Sequence, residues 1–453
     1  MIIYLDHSEV PDVERIAPGV LRYLVRRAEL AAARYDKLDR YYLGRHDILR
    51  TCREGEVQVA VNYAKYVVDI ALGYYLGQPV KYDANPVDEL GRKVELAPLL
   101  RCYERGHLPE VDVSIGRTMG VMGDCLELCY ASGGSDPMPR SARIDPRRGI
   151  LVCDTTVEHA KLFGMVWDRR EKTTGERYYF VTVYTDRTER DFVCSDLSAG
   201  AFRPVGEVRY HWFGAVPMIA YVNNDDRQGD FEQILSLIDA YDALMSSRLT
   251  DKKKFVDALL VFFGMTLAEG DEQKLAREKF IDGAPLDARA EYIQKTFNES
   301  EVQVLADNLV REMHKMTLTV DLSDENFAGN SSGQALKLKL LSMDLLARGK
   351  MRRMECGLRE RMALYSHWLT VRGVMAPLDE DQVDVVFTPD LPINESEKVD
   401  LVCKLQNIVD DQTLLSQLWF IRDPAEAAEN LRRQREERGG GGVRSANFPF
   451  NHI

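Results

Sequence analysis

Apolar residues recur at helical spacing along residues 230–256, where they are separated by charged and polar positions. The apolar face of this predicted helix consists of Phe231, Ile234, Ile238, Tyr241 and Met245. Asp230 opens the segment and Gln233 follows three residues later, a spacing that predicts an N-terminal cap pair. At a rise of ~1.5 Å per residue the helix would be about 40 Å long. The pattern favours a structural strut over a catalytic element.

A second amphipathic helix is predicted at residues 298–318. It starts at a capping box formed by Ser300 and Gln303. Its apolar stripe contains Val302, Leu305, Leu309, Met313 and Met316. An insert, residues 257–297, separates the two helices, and each of its ends meets one of them. We therefore expect the two helices to lie side by side with the insert at their tip.

The insert is predicted to contain strands at 258–263 and 292–297 and a charged helix near 271–279. Its charges of both signs suggest a polar surface that docks another protein. The alternative is a helix face that is merely exposed to solvent. The residues assigned to the docking surface are Glu269, Asp271, Glu272 and Lys274.

The remaining pattern divides into a mixed N-terminal part and a mainly helical C-terminal part. Helices are predicted at 13–44, 59–76, 96–104 and 111–120. A Gly, Ser and Pro cluster predicts a loop at 131–142, and β-forming runs predict strands between 150 and 222. With 453 residues the chain exceeds one ordinary core. The predicted fold class is α+β, mainly helical, with more than one domain.

Polar, turn-forming residues interrupt the helical pattern at 319–331, and a long helix then runs to about residue 374. Gly349 marks a predicted kink in this helix. A strand follows at 383–387 and a helix at 395–409. Residues 429–438 form a charged helix end, and the chain from Gly439 onward is predicted to be flexible.

Composition and charge disfavour several classes of protein: membrane-spanning proteins, secreted proteins and proteins that hold nucleic acid statically. The net charge is −13 and hydrophobic residues make up 45% of the chain. No apolar stretch reaches the ~18 residues that span a bilayer, and acidic residues come too early for a signal peptide. The eight cysteines suggest a reduced compartment. We expect a soluble cytoplasmic protein without a membrane partner, and the missing basic excess disfavours static binding of nucleic acid.

The candidate reactive groups do not form a recognised site. No phosphate-binding loop motif is present, and the glycines at 439–442 suggest a linker. Cys125 and Cys129 would share a helix face, but His107 and Cys153 do not complete a metal-ligand spacing. His46 is interpreted as a structural residue at a helix terminus. No catalytic, cofactor or metal residue is predicted, and the protein is expected not to be an enzyme.

Two other functions remain open at this point. Acidic clusters at 225–226, 379–381 and 410–411 leave room for a metal-dependent hydrolase or nuclease of unknown type. The chain would also suit a monomeric adaptor protein of a virion.

An ordered series of short motifs carries a family resemblance. In sequence order they are Tyr41-Tyr42, Gly44, His46, Ile48, Asn62 to Lys65, Asp69, Gly73 to Tyr82, the 213–264 segment, Ser332-Gly333, Ala335-Leu336, Thr388 to Pro392 and Asp423-Pro424. In this order the chain resembles the phage portal protein family, in the branch typical of long-tailed phages of Gram-positive hosts. The resemblance spans roughly residues 40–425.

The resemblance implies a division of the chain into the parts of a portal subunit. These are a wing (1–229), a stem helix (230–256), a clip (257–297), a second stem helix (298–318), a tunnel loop (319–331), a long kinked helix of wing and crown (332–374), a crown (375–428) and a flexible tail (429–453). It also implies a ring of about twelve copies at a capsid vertex, because a head-to-tail interface that closes gives a ring.

The implied function is a channel for DNA packaging and ejection. Partners would be double-stranded DNA in the channel, the terminase large subunit, the major capsid or scaffolding protein and a head-completion adaptor. The protein would belong to the virion, and to the host cytoplasm during assembly. An acidic channel wall would keep DNA mobile. The loop residues implied to face the channel are Asp321, Ser323, Asp324, Glu325, Asn326 and Asn330.

Overall fold

The computed structural model describes residues 1–10, 12–51, 55–84, 95–198, 201–255, 259–263, 289–293, 299–322, 340–389, 402–405, 409–416 and 424–439. The chain divides into two compact units, which are treated separately. The first comprises Met1–Ser323 with Leu340–Asp390, and the second comprises Asp324–Lys339 with Leu391–Ile453.

The first unit contains both helices and strands, with eight consecutive strands between α4 and α5, so the structure confirms a mixed α and β class. The described strands are β1 Ile2–Leu5, β2 Lys81–Ala84, β3 Asp124–Ala131, β4 Pro139–Ile144, β5 Gly149–Asp154, β6 Lys161–Glu171, β7 Arg177–Tyr184, β8 Thr188–Cys194, β9 Arg203–Tyr210, β10 Met218–Val222, β11 Leu259–Phe263, β12 Arg289–Ile293 and β13 Val383–Val386. The described α-helices of this unit are α1 Pro18–Tyr42, α2 Tyr63–Leu76, α3 Ala97–Arg105, α4 Leu108–Met122, α5 Leu235–Phe255, α6 Glu299–Thr317 and α7 Leu341–Val371.

A six-stranded sheet has the order β1-β5-β6-β7-β8-β9. β1 pairs with β5 in parallel, and the other neighbours are antiparallel. The N-terminal half of α1 shares a core with this sheet, because its buried Leu21, Leu24 and Val25 belong to the same cluster as Phe163 and Phe192. The N-terminal half of α1 therefore covers one face of the sheet.

The C-terminal half of α1 belongs to a different core. Tyr35, Leu38 and Tyr41 are buried in a cluster with α2, the end of α4 and the residues that lead into α5. Met313 of α6 lies in the same cluster. A single long helix thus connects the sheet to the helical part of the unit.

The second sheet has three antiparallel strands in the order β10-β3-β4. Leu126 and Met218 of this sheet share a small core with Leu151 of β5, so the two sheets pack against each other. α4 and α7 contact this sheet, and α7 also contacts α2. The antiparallel pair β2–β13 brings residue 383 next to residue 84.

Helix α7 buries two cations, about three helical turns apart. Arg361 is 0% exposed, and its guanidinium lies 2.6 Å from Asp112 on α4 and 2.6 Å from Glu127 on β3. Tyr221 donates a further hydrogen bond to Glu127 at 2.6 Å. Burial raises the pKa of Asp112 to about 6 although Arg361 opposes that change. At neutral pH the site therefore holds one cation between two carboxylates.

The second buried cation of α7 is Lys350. Its ammonium group donates to Asp230 at 2.6 Å and to Asn223 at 2.6 Å. Asp230 was predicted to cap the following helix together with Gln233, and that prediction is wrong. The carboxylate is used by Lys350, α5 starts only at Leu235, and Gln233 donates instead to the carbonyl of Met316 at 2.8 Å.

Most sequence-predicted elements of this unit are present, with shifted ends. Strands occupy the 150–222 region as predicted, and α7 runs as one element through Gly349. The helix predicted from Val59 starts at Tyr63, because Asn62 caps it by accepting from the N–H of Lys65. The predicted loop 131–142 is shorter, since β4 already begins at Pro139.

The second unit is described at residues 402–405, at helix α8 (Asp411–Ser416) and at helix α9 (Pro424–Gly439). Asp410 accepts from the N–H of Thr413 and caps α8. Arg435 of α9 donates to Asp411 at 2.5 Å. The charged run 429–438 is helical, as its sequence indicates. The residues beyond 439 lie outside the described part.

Replacing Arg361 by methionine should destabilise the protein strongly. The change keeps much of the side-chain volume but leaves Asp112 and Glu127 as buried carboxylates without their cation, at a cost of ~3–5 kcal/mol. The matched control is Arg348→Met on the same helix, because Arg348 is 66% exposed and pairs with Asp344. An exposed pair of this kind contributes only ~0.3–0.5 kcal/mol. Chemical unfolding of both variants is the measurement, and equal losses would contradict the account.

Candidate functional site

Helices α5 and α6 lie side by side and run in opposite directions. Arg248 near the end of α5 contacts Glu299 and Gln303 at the start of α6. Gln233, just before α5, contacts the carbonyl of Met316 near the end of α6. These contacts join early residues of one helix to late residues of the other. The side-by-side arrangement expected from the sequence is therefore confirmed.

A polar ladder fixes α5 to the extended segment that precedes α2. Asp242, Ser246 and Thr250 recur every four residues, so they lie on one helix face. Their side chains accept from the N–H groups of residues 61, 59 and 57 at 2.8, 3.0 and 2.9 Å. All three ladder side chains are buried. This pairing gives the extended segment its backbone partners and explains why α2 starts later than predicted.

His46 adds a buried ion pair to the same helix face. Its Nδ1 lies 2.5 Å from Asp242, and its Nε2 lies 3.1 Å from the carbonyl oxygen of Tyr41. Both ring nitrogens face acceptors, which favours the doubly protonated imidazolium. Burial lowers the pKa of His46, but the hydrogen bond to Asp242 and the charge of that carboxylate raise it by more. The structural role assigned to His46 from sequence is consistent with this position.

Helix α6 leaves part of its apolar surface uncovered. Met313 is buried against α5 and α2, whereas Leu305 is 50% exposed and Val304 is 59% exposed. Met316 and Leu318 are also exposed. The stripe predicted for this helix is thus only partly buried within the chain. The reason is that α5 covers one side of α6 and no described residue covers the other.

The segment after α6 is tied to α2 as far as the structure describes it. Leu318 has a φ of 57°, in the left-handed region, and turns the chain out of the helix. Tyr66 then donates to the carbonyl of Val320 at 3.1 Å and accepts from the N–H of Leu322 at 3.1 Å. Asp321 lies 3.9 Å from Nε2 of His314. Burial lowers the pKa of His314 although Asp321 opposes the change.

Most residues of the two predicted sites lie outside the described part of the chain. Of the loop residues, the structure places only Asp321; Ser323, Asp324, Glu325, Asn326 and Asn330 fall in the range 323–339. The docking residues Glu269, Asp271, Glu272 and Lys274 fall in the range 264–288. β11 and β12 pair antiparallel between the ends of α5 and α6, so the insert begins and ends in a two-stranded pair. Both assignments remain predictions.

The two cysteines considered as metal ligands are buried in the first unit. Cys125 and Cys129 lie on strand β3, not on a helix, and burial raises the pKa of both thiols. Among the residues that the structure describes, no group of three or more histidine, cysteine or acidic side chains is arranged to hold a metal ion. No helix in the described ranges has the length and hydropathy needed to cross a membrane.

The described structure thus contains an antiparallel helix pair that is joined through buried polar contacts to the rest of the first unit. Comparison with known proteins shows the family: the sequence profile described as "Phage portal protein, SPP1 Gp6-like" matches residues 22–441. The chain belongs to this family. Its members are portal proteins, the head-tail connectors of phage capsids, and are structural components rather than enzymes.

Two relatives illustrate the range of similarity. The chain is 25% identical over 304 residues to the portal protein of Bacillus phage SPP1, a match that covers 64% of this chain and 58% of that protein. It is 21% identical over 445 residues to the portal protein of Clostridium phage phiCD119, covering 93% of this chain and 95% of that protein. The chain thus spans less than two thirds of the first relative and nearly all of the second.

Removing the charge of His46 should change how stability depends on pH. Because the folded pKa of His46 is raised above 6.5, its pair with Asp242 stabilises fully below about pH 6.5 and loses its effect as pH rises through the folded pKa. In His46→Gln this loss should be absent, and the variant should be less stable at low pH. The measurement is chemical unfolding from about pH 5.5 to about pH 9.

The matched control for that series is His314→Gln. The pKa of His314 is lowered in the fold, so its contribution has the opposite sign and is lost as pH falls. Identical pH slopes for wild type and His46→Gln would show that the buried pair carries no charge.

Proposed function

We propose that this protein assembles into a closed ring that forms the portal channel of a phage capsid, with about twelve copies arranged head to tail. The observation that carries the proposal is the apolar surface of α6, which the rest of the described chain leaves exposed in a member of the portal family. In a ring, the neighbouring copy would cover this surface. Residues 230–256 and 298–318 are then the stem.

The inner wall of such a ring would be acidic, which would allow double-stranded DNA to pass without being held. The chain carries a net charge of −13, and repeating it around a ring adds an acidic field. Phosphates would be repelled from this wall, so DNA could slide during packaging and ejection. Two cations near the end of α5, Arg248 and Lys252, both pair with the single carboxylate of Glu299 at the start of α6.

The loop 319–331 is proposed as the channel-facing segment. Its start is held in place by Tyr66, which bonds to the backbone of residues 320 and 322. With its start held in this way, the acidic part of the loop could change position as DNA passes while the stem helices stay in place. The long helix 332–374 and the crown 375–428 would support the loop and face the inside of the capsid.

The insert 257–297 is proposed as the clip that docks the terminase large subunit, and the wing as the contact for the major capsid or scaffolding protein. A head-completion adaptor would replace the terminase after packaging. Reversing the charges of Glu269, Asp271 and Glu272 should impair packaging and leave the ring intact, because rim charges act mainly on association. Normal packaging by the triple variant, measured in a reconstituted motor assay, would remove these residues from the interface.

Assembly should depend on the exposed apolar surface of α6. We expect the purified chain to form a large ring without nucleotide or metal, and Leu305→Asp to shift it to the 51.6 kDa monomer, because a carboxylate would be buried in the interface. Leu30→Asp on α1 is the matched control, since Leu30 is also exposed but lies outside the helix pair. Native mass spectrometry measures both. A wild-type chain that is monomeric at every salt and protein concentration would overturn the proposal.

Adding positive charge to the loop should slow DNA. In the double variant with Asp324→Lys and Glu325→Lys, each new phosphate contact would add salt-sensitive attraction. The ring should assemble normally but translocate more slowly, most clearly at low ionic strength. Glu104→Lys with Glu158→Lys is the control, because it adds the same charge at exposed positions outside the loop. Equal packaging rates for wild type and the loop variant at all salt concentrations would show that the loop does not face DNA.

A further inference from the structure

Strand β9 forms an open edge of the six-stranded sheet. Among the described strands its only neighbour is β8, and all eight of its residues are exposed. Gly206 has a φ of 76° and lies where the β8–β9 register shifts, so a bulge interrupts the strand there. Pro204 precedes the bulge and cannot donate a hydrogen bond. The part of the edge that another strand can pair with is therefore its C-terminal half, residues 207–210.

The same edge continues an apolar face that α1 does not reach. Tyr210 lies opposite Thr188 and Pro204 lies opposite Phe192. Both of these β8 residues are buried, and Phe192 belongs to the core that α1 shares with the sheet. Val208 shares the alternation of Tyr210 and is also exposed. The buried core of the sheet thus ends in a band of exposed apolar side chains.

Trp212 extends this band beyond the strand. It is 61% exposed, Tyr210 is 63% exposed, and their ring centroids are 5.9 Å apart. Trp212 has a φ of 62°, a backbone conformation that costs a non-glycine residue ~1–2 kcal/mol. Its neighbours His211 and Phe213 are buried, and His211 bonds to the carbonyl of Thr185 at 3.1 Å. The fold therefore holds the indole outward in a strained conformation.

The same face also carries an arginine that has no carboxylate partner among the described residues. Arg190 of β8 lies on the same side as Tyr210, with its guanidinium 5.6 Å from the ring centre of Phe192. No described carboxylate pairs with Arg190, whereas Arg209 on the opposite side pairs with Glu189 and Asp191. Tryptophan, tyrosine and arginine are the residues that most often dominate binding energy at protein interfaces.

We propose that β9 with Trp212 is a docking edge for an extended segment of another protein, which adds to the sheet as a further strand. Main-chain hydrogen bonds would form along residues 207–210, as in other cases of strand addition. On the face of the aromatic pair, the incoming segment would present apolar side chains to Tyr210 and Trp212 and a carboxylate to Arg190. This surface exists on the single chain and does not depend on the ring.

A direct test uses a fluorescent eight-residue peptide and the full-length protein. The peptide has threonine at its four odd-numbered positions and isoleucine, glutamate, isoleucine and valine, in that order, at its even-numbered positions. When it is extended, one face therefore carries three apolar side chains and one carboxylate. Two matched peptides replace the glutamate by lysine or a central threonine by proline. We expect the glutamate peptide to bind at least ~10-fold more tightly than either control, as judged by anisotropy.

Two protein variants locate the binding. Trp212→Gly removes the indole at a position whose φ suits glycine, so the fold should be retained while peptide affinity falls at least ~10-fold. Tyr130→Ala removes an exposed aromatic side chain from β3, in the other sheet, and should leave affinity unchanged. Hydrogen exchange of residues 207–212 should slow when the peptide binds to wild type.

Three results would overturn the proposal. One is undetectable binding of the glutamate peptide to wild type at millimolar concentration. Another is equal affinity for Trp212→Gly and wild type, or for the glutamate and lysine peptides. The last is protection, in the assembled protein before peptide is added, of those N–H groups of residues 207–210 that do not bond to β8, which would make this edge an interface between copies of the chain.

Discussion

Two buried cations on one side of α7 fix this helix to α4, to β3 and to the turn before α5. Arg361 joins α7 to α4 and β3 through Asp112 and Glu127, and Lys350 joins it to the turn before α5 through Asp230 and Asn223. A buried ion pair adds little net stability compared with apolar packing, but losing one partner is costly. These pairs therefore act mainly by specifying one position for α7, since a shifted helix would leave four polar groups without their cations.

The same constraint reaches the helix pair. Asp230 is held by Lys350 just before α5 begins, and Asp242 is held by His46 two turns into that helix. The ladder through Ser246 and Thr250 continues to fix α5 against the extended segment 57–61. Each neutral hydrogen bond contributes only ~1 kcal/mol, yet the series leaves α5 little freedom to slide. If the helix pair is the stem proposed above, these contacts hold its first helix in one position against the rest of the unit.

The sequence was informative where periodicity alone determines structure. The strands between 150 and 222 and the opposed helices α5 and α6 follow from local pattern, and the ordered motifs alone were enough to indicate the portal family. Contacts distant in sequence were not predictable. The local sequence predicts that Asp230 caps a helix, but in the structure its carboxylate binds Lys350, which lies 120 residues later in the chain. The sequence pattern predicts a helix from Val59, but Ser246 accepts from the N–H of Val59 and keeps that residue extended.

In the candidate site, too, local sequence patterns could be predicted and contacts between distant residues could not. Nothing local distinguishes the exposed Leu305 from the buried Met313, because both belong to one apolar stripe and only the placement of α5 separates them. Left-handed Trp212 carries no sequence signal either, since tryptophan rarely adopts that conformation. The acidic character of the loop and the mixed charge of the insert are visible in the sequence, but their positions are not.

Electron cryo-microscopy of the purified full-length protein tests the central claim most directly. We expect a closed ring with a central opening, in which α6 of each copy packs against the neighbouring copy and Leu305 is buried between them. A ring in which Leu305 stays exposed to solvent, or a population of single chains without rings, would contradict it.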